Sequence, residues 1–130
     1  MSYKIIFTDL DDTLLNSEKK ISQIDKEAIM KAQEAGIKFV LASGRPTFAM
    51  YDLAKELELE KYGSFILSFN GSIITNCKSG EHIFEESLTK EDLHLMYDFA
   101  KENSCHILTY VDDEIISETE SEYIDVEVTL

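Results

Sequence analysis

The sequence predicts an α/β fold, a doubly wound parallel sheet followed by a second α+β unit. Three observations carry this expectation. Apolar runs at residues 4–8, 37–41 and 64–69 alternate with helical patterns. Each run ends in a cluster of polar residues or glycine. After Gly71 the alternation stops and shorter strand-like segments take over.

Lys4 to Thr8 (KIIFT) reads as a short buried strand, apolar and rich in β-branched residues. Asn16 to Ile21 is a polar loop. Ser22 suits a helix N-cap, with Asp25 as a capping-box-like partner three residues on. Ile24, Ala28, Ala32 and Ala35 then recur at helical spacing, and Gly36 suits the position that ends a helix. Ile37 to Leu41 forms a second buried strand. Pro46 pre-sets the first turn of another helix carrying Phe48, Tyr51, Leu53, Ala54 and Leu57. Ser64 to Phe69 is the third strand. Right-handed crossovers make this β-α-β-α-β run a parallel sheet.

Beyond it, Ser72–Asn76 and Glu81–Glu86 flank Lys78-Ser79-Gly80 as a hairpin. Thr89 caps a helix with Asp92 three residues on, and Leu93, Met96, Tyr97 and Ala100 give that helix its apolar face. His106–Tyr110 and Glu114–Ser117 flank Asp112-Asp113 as another hairpin, and residues 123–128 carry a weak strand pattern. The expected division is 1–80 for the parallel unit and 81–130 for the second unit.

Charge narrows the partners. The formal net charge is −14. Residues 1–71 hold nine cations against eleven acids, and residues 72–130 hold three against fifteen. Such a field disfavours nucleic acid and anionic membranes, since neither counterion release nor lipid attraction helps it. An anionic substrate then needs a metal ion or local dipoles to reverse the sign at its site. Cys77 and Cys105 are scattered, without metal-site spacing, and read as reduced thiols. With no membrane-length apolar run and no signal-like start, the expectation is a cytoplasmic protein.

In a parallel α/β sheet, ligands bind beyond the carboxyl ends of the strands. Those ends carry Asp9-Leu10-Asp11-Asp12, Ser43-Gly44-Arg45 and Asn70-Gly71. Asp9, at a strand tip, suits a nucleophile toward phosphorus, and Asp11 suits general acid–base work. Two carboxylates repel a phosphate dianion, so the site calls for Mg²⁺, which prefers oxygen ligands. The Ser43 hydroxyl and loop N–H groups can hold phosphoryl oxygens, and such transfer needs chiefly positioning and charge neutralisation. Blander readings compete: an acidic turn, Ser43 as a helix cap, Arg45 paired with a surface acid, Asn70-Gly71 as a simple turn. His82, His94 and His106 are scattered and read as surface or core residues.

The run Asp9-Leu10-Asp11-Asp12-Thr13-Leu14-Leu15 resembles the DxDxT motif of the haloacid dehalogenase superfamily. Ala42-Ser43-Gly44-Arg45-Pro46 is similar to the second motif of its Cof-type sugar-phosphate phosphatases, and Phe69-Asn70-Gly71-Ser72 to their NGA-like stretch. The resemblance is close over residues 4–76 and looser to 130, where such proteins begin an α/β cap. It implies hydrolysis of small phosphorylated metabolites through an aspartyl-phosphate. Asp9 would be the nucleophile and Asp11 the general acid/base. Mg²⁺ would be held by the Asp9 carboxylate and the Asp11 main-chain carbonyl. Thr13 would support the turn beside the phosphate, Ser43 would bind phosphate within the Ser43-Gly44 turn, and Arg45 and Asn70 would lie near the substrate entrance. Asp12 stands where the family often has Gly. The resemblance also calls for a later Lys and a GDxxND-type acidic pair, for which these residues offer no counterpart. The expectation is therefore an N-terminal portion that is inactive alone, with a sheet edge open to self-association. A phospho-accepting receiver-type domain is the alternative from another class, but it needs an acid where the third strand ends in Asn70. A non-catalytic remnant acting by association is the other.

Overall fold

In a computed structural model, residues 3–112 and 114–118 are described. The chain divides into two units, Met1–Glu86 and Ser87–Leu130. The first holds a five-stranded sheet ordered β1-β2-β3-β4-β5, from β1 (Ile5–Thr8), β2 (Lys38–Ala42), β3 (Phe65–Ser68), β4 (Ile73–Asn76) and β5 (His82–Glu85). β1, β2 and β3 run parallel, with Thr8 paired to Leu41 and Leu41 to Ile66. β4 and β5 then continue the same sheet antiparallel. The 72–86 hairpin is thus an extension of the parallel sheet. That join is a non-local pairing, Ser68 with Ile73 and Phe65 with Asn76, which local turn signals do not report.

Helix α1 (Gln23–Glu34) begins where capping chemistry places it: the Ser22 hydroxyl accepts the Asp25 N–H at 3.1 Å. It ends in a Schellman-type turn, with Gly36 N–H bonded to the Gln33 carbonyl and Ile37 N–H to that of Ala32. Gly36 sits at φ 84°, where glycine carries no Cβ penalty. The buried face of α1 differs from the alanine stripe. Ile29 and Gln33 are buried, while Ile24 is 81% exposed. The reason is a tertiary bond: the Gln33 side-chain amide donates to the Leu57 carbonyl at 2.8 Å.

The segment after β2 is broken where one helix is expected. A 3₁₀ turn at Thr47–Met50 leads into α2 (Tyr51–Glu56) and then α3 (Leu59–Tyr62). Glu58 interrupts them in the left-handed region at φ 53°. Leu57 and Leu59 on either side are fully buried, so the break turns both into the core. With Leu10, Leu41, Met50 and Ile66 they form its centre.

β1 forms as expected but is not buried. Ile5, Ile6 and Phe7 are 42%, 37% and 55% exposed. β1 lies at the end of the strand order, and no described residue of this unit pairs with its outer edge.

The second unit holds α4 (Lys90–Glu102) and the antiparallel pair β6 (Leu108–Val111) and β7 (Glu114–Ser117). Thr89 and Asp92 make a reciprocal capping box at the start of α4. Ala100 is the buried residue of its apolar face, while Leu93 and Met96 stay largely exposed. The strand pattern at 123–128 lies outside the described residues.

Candidate functional site

The carboxyl ends of β1, β2 and β3 converge on one edge, and the acidic turn after β1 is built around a single carbonyl. The Leu10 oxygen accepts the N–H groups of Thr13, Leu14 and Leu15 at 3.3, 3.1 and 2.8 Å. Leu10 itself is fully buried, which anchors the turn in the core and leaves Asp9 exposed and Asp11 half-buried. Thr13 thus joins the turn through its main chain. Asp12 takes φ 56°, the left-handed conformation that glycine meets without strain.

Asp11 is held from two sides. Arg45 donates through Nε to Oδ2 at 3.0 Å and through Nη2 to Oδ1 at 2.8 Å, a bidentate clamp. Lys19 adds a third bond, Nζ to Oδ1 at 2.7 Å. The hydrogen bonds from Arg45, then from Lys19, hold the Asp11 carboxyl at about 2, below its usual value of 3.8, against a smaller opposing effect of burial.

A depressed carboxyl of this kind stabilises the fold above pH ~4, and that stabilisation is lost as pH falls toward ~2. The Asp11 side chain is 36% exposed, so solvent screening limits the contribution to about 1 kcal/mol or less. Arg45→Ala is expected to raise the Asp11 value toward 3.8. A carboxyl ¹³C titration reads it directly, and an unmoved midpoint would show that Arg45 does not set the charge state.

The loops after β2 and β3 are tied to each other by main-chain bonds. Asn70 N–H donates to the Ser43 carbonyl at 3.1 Å, and Phe69 N–H to that of Arg45 at 3.0 Å. The Ser43 hydroxyl accepts the Arg45 N–H at 3.2 Å, which turns the chain and directs Arg45 back toward Asp11. Gly44 permits a close approach, since a Cβ there would lie 3.2 Å from the Asn70 side-chain oxygen. Phe69, Asn70 and Gly71 all have positive φ, at 49°, 57° and 92°. Three such residues in a row are costly unless the surroundings fix them, and the two cross-loop bonds supply that constraint.

Of the residues singled out from the sequence, Asp11 and Arg45 are in direct contact, and Ser43, Gly44 and Asn70 form one cluster. Asp9 stands at the strand tip beside them in sequence. Lys19 escaped the sequence reading. It lies in a polar loop closed by the Asn16 side chain, which accepts the N–H groups of Glu18 and Lys20. Lys19 takes φ 59°, and that left-handed turn brings a residue eight positions on back to Asp11. Asn16-Ser17 followed by three charged residues is the local sign of it.

The oxygen donors suit a hard cation. Asp9 offers an exposed carboxylate and Asp11 a main-chain carbonyl, while the Asp11 side chain is already taken by Arg45 and Lys19. Among the described residues no group of three or more His, Cys, Asp or Glu is gathered for a metal. Mg²⁺ accepts few protein ligands and keeps waters, so this sparse set fits it better than it fits a transition metal.

Comparison with known proteins bears on the whole arrangement. A family model for haloacid dehalogenase-like hydrolases matches residues 6–129. A haloacid dehalogenase-like hydrolase from Bacteroides thetaiotaomicron superposes with a TM-score of 0.87 at 43% identity, over 98% of this chain and 48% of that one. The Bacillus subtilis 5-amino-6-(5-phospho-D-ribitylamino)uracil phosphatase YcsE is 33% identical over 78% of this chain and 39% of its own length. Phosphatase YwpJ of the same organism is 35% identical over 55% of this chain and 24% of its own. The chain spans little more than a third of the length of the first curated relatives it matches. Among the described residues no helix is long and apolar enough to cross a membrane.

Proposed function

Because the chain belongs to the haloacid dehalogenase-like hydrolase family, we propose that its Asp9–Asp11 turn is the reacting half of a cytoplasmic Mg²⁺-dependent phosphatase site for small phosphorylated metabolites. Sugar phosphates are the favoured class, and the ribityl phosphate named for YcsE is of that chemistry. The single observation that carries this reading is the convergence of three strand ends: Asp9 and Asp11, then Ser43-Gly44-Arg45, then Asn70 bonded back to Ser43.

Asp9 attacks phosphorus with a carboxylate oxygen; the phosphorus–oxygen bond to the leaving group breaks, and an aspartyl-phosphate forms. Asp11 protonates the departing oxygen and later takes a proton from the attacking water. The Ser43 hydroxyl and the Gly44 amide bind the phosphoryl oxygens, with Thr13 and Asn70 bordering the same site. Mg²⁺ would rest on the Asp9 carboxylate and the Asp11 carbonyl, where it offsets phosphate charge. Asp11 clamped by Arg45 and Lys19 is a carboxylate, not an acid. Acid catalysis therefore requires the substrate phosphate to draw Arg45 and Lys19 away, which lets Asp11 take up a proton from solvent.

The described residues supply no further cation or acid cluster to complete such a site. The 130-residue chain is accordingly expected to hydrolyse p-nitrophenyl phosphate with Mg²⁺ barely above background. Robust turnover removed by Asp9→Asn would keep the nucleophile and overturn the need for further groups. Turnover indifferent to Asp9→Asn would overturn the reading itself.

A second reading, association without catalysis, draws on the exposed apolar residues of β1. An unpaired, hydrophobic strand edge invites pairing with another strand. Sedimentation at rising concentration tests it: a dimer supports it, and a clean monomer counts against it.

A further inference from the structure

Lys19 sits in a loop that is built rather than loose. Leu15 and Ile21, both buried, close its base as an isolated β-bridge. Within it the Lys19 N–H donates to the Asn16 carbonyl at 2.8 Å, and the Asn16 N–H to that of Lys20 at 3.0 Å. These bonds hold Lys19 at φ 59°. Such a conformation costs a non-glycine residue free energy and persists where the surroundings over-determine it. The contact it secures is the one with Asp11, Nζ to Oδ1 at 2.7 Å.

The two cations on Asp11 are not equivalent. Arg45 commits Nε and Nη2 to the two carboxylate oxygens, and its side chain is 9% exposed. Lys19 makes a single bond to Asp11, and its side chain is 60% exposed. An ammonium carries three protons, so Lys19 is the member of the pair that a ligand arriving from solvent meets first. Its place relative to a substrate follows from the phosphatase reading above, on which this inference rests. There Asp9 attacks phosphorus and Asp11 protonates the oxygen that leaves. Attacking and leaving oxygens lie roughly in line across a transferring phosphoryl group. A cation bonded to Asp11 therefore stands on the leaving-group side, beside the organic part of the ester.

We propose that Lys19 is a specificity-determining residue of this site: its ammonium passes from Asp11 to an oxygen that the leaving group carries next to the ester bond. Phosphate esters of sugars and polyols hold a hydroxyl on the neighbouring carbon and satisfy it. Simple alkyl esters offer no such acceptor and leave the ammonium on Asp11. The exchange also removes one of the three bonds that hold Asp11 as a carboxylate. Recognition of the leaving group and release of the acid are then one event.

The test titrates the 130-residue chain, with Mg²⁺ present, with glycerol 3-phosphate and with propyl phosphate, the same ester without its two hydroxyls. Both are expected to shift the Ser43 and Gly44 amides in ¹H–¹⁵N correlation spectra. Glycerol 3-phosphate is expected to bind about tenfold more tightly, as a hydrogen bond to a charged donor allows, and it alone to move the Lys19 amide. Lys19→Met keeps the length of an exposed side chain and is expected to abolish that preference, while Lys19→Arg retains part of it. A lysine that only shaped the loop would weaken both esters alike and leave their ratio intact. Equal affinities in the parent, or a preference that survives Lys19→Met, would overturn the role of Lys19 and keep the phosphate site. No shift at Ser43 and Gly44 with either ester would overturn the phosphate site and this inference with it.

Discussion

Asp9→Asn is expected to remove whatever phosphatase activity this fold carries. The substitution is nearly isosteric and falls on an exposed strand tip, so the fold has little reason to respond. What it removes is the anionic oxygen that would bond to phosphorus; a neutral amide is a poor nucleophile and a poorer partner for a cation. Far-ultraviolet circular dichroism and the urea midpoint should match the parent, while the small rate above background with p-nitrophenyl phosphate is lost. A rate above background that survives Asp9→Asn would overturn the assignment of Asp9 as nucleophile. Arg45→Ala is the informative companion: it leaves Asp11 held by Lys19 alone and removes one cation from the proposed site, so KM is expected to rise more than kcat falls.

Leu41→Ala should have the largest effect on stability, about 2–5 kcal/mol. Leu41 is fully buried in β2, the strand between β1 and β3, paired with Thr8 on one side and Ile66 on the other. Truncation there opens a cavity at the centre of the core cluster, two residues before Ser43. Total stabilities of domains are only ~5–15 kcal/mol, so such a loss removes much of the margin. Urea denaturation measures it. Leu41→Met keeps the volume and is expected to cost less than about 1.5 kcal/mol; equal losses in both would show that shape, not cavity formation, is at stake.

What was legible in the sequence was what local chemistry decides. Ser22, Gly36 and the Thr89–Asp92 pair mark helix ends because caps are made within four residues of themselves. The three parallel strands and their polar ends were equally plain, and with them the positions of Asp9, Asp11, Ser43 and Arg45. What escaped depended on partners far along the chain. Gln33 is buried because the Leu57 carbonyl receives its amide, 24 residues away. β1 reads as a buried strand from its composition, yet burial is a property of neighbours, and its outer edge has none among the described residues of its unit. Lys19 reaches Asp11 through a left-handed turn that charge patterning does not announce. The carboxylate clamp, the most specific contact of the site, was thus half visible: Arg45 from its motif, Lys19 not at all.

The two borders of the five-stranded sheet are chemically unlike, and this asymmetry has a consequence for growth. β1 presents Ile5, Ile6 and Phe7 without an acid among them, whereas β5 exposes Ile83 and Phe84 but sets them among Glu81, Glu85 and Glu86. Stacking β1 of one copy on β5 of the next would propagate without end, but it would strip water from those glutamates at every step. Pairing β1 with β1 about Ile6 sets Ile5 against Phe7 and uses up both sticky borders at once. If copies associate through this border, as the second reading above has it, addition would terminate at two copies.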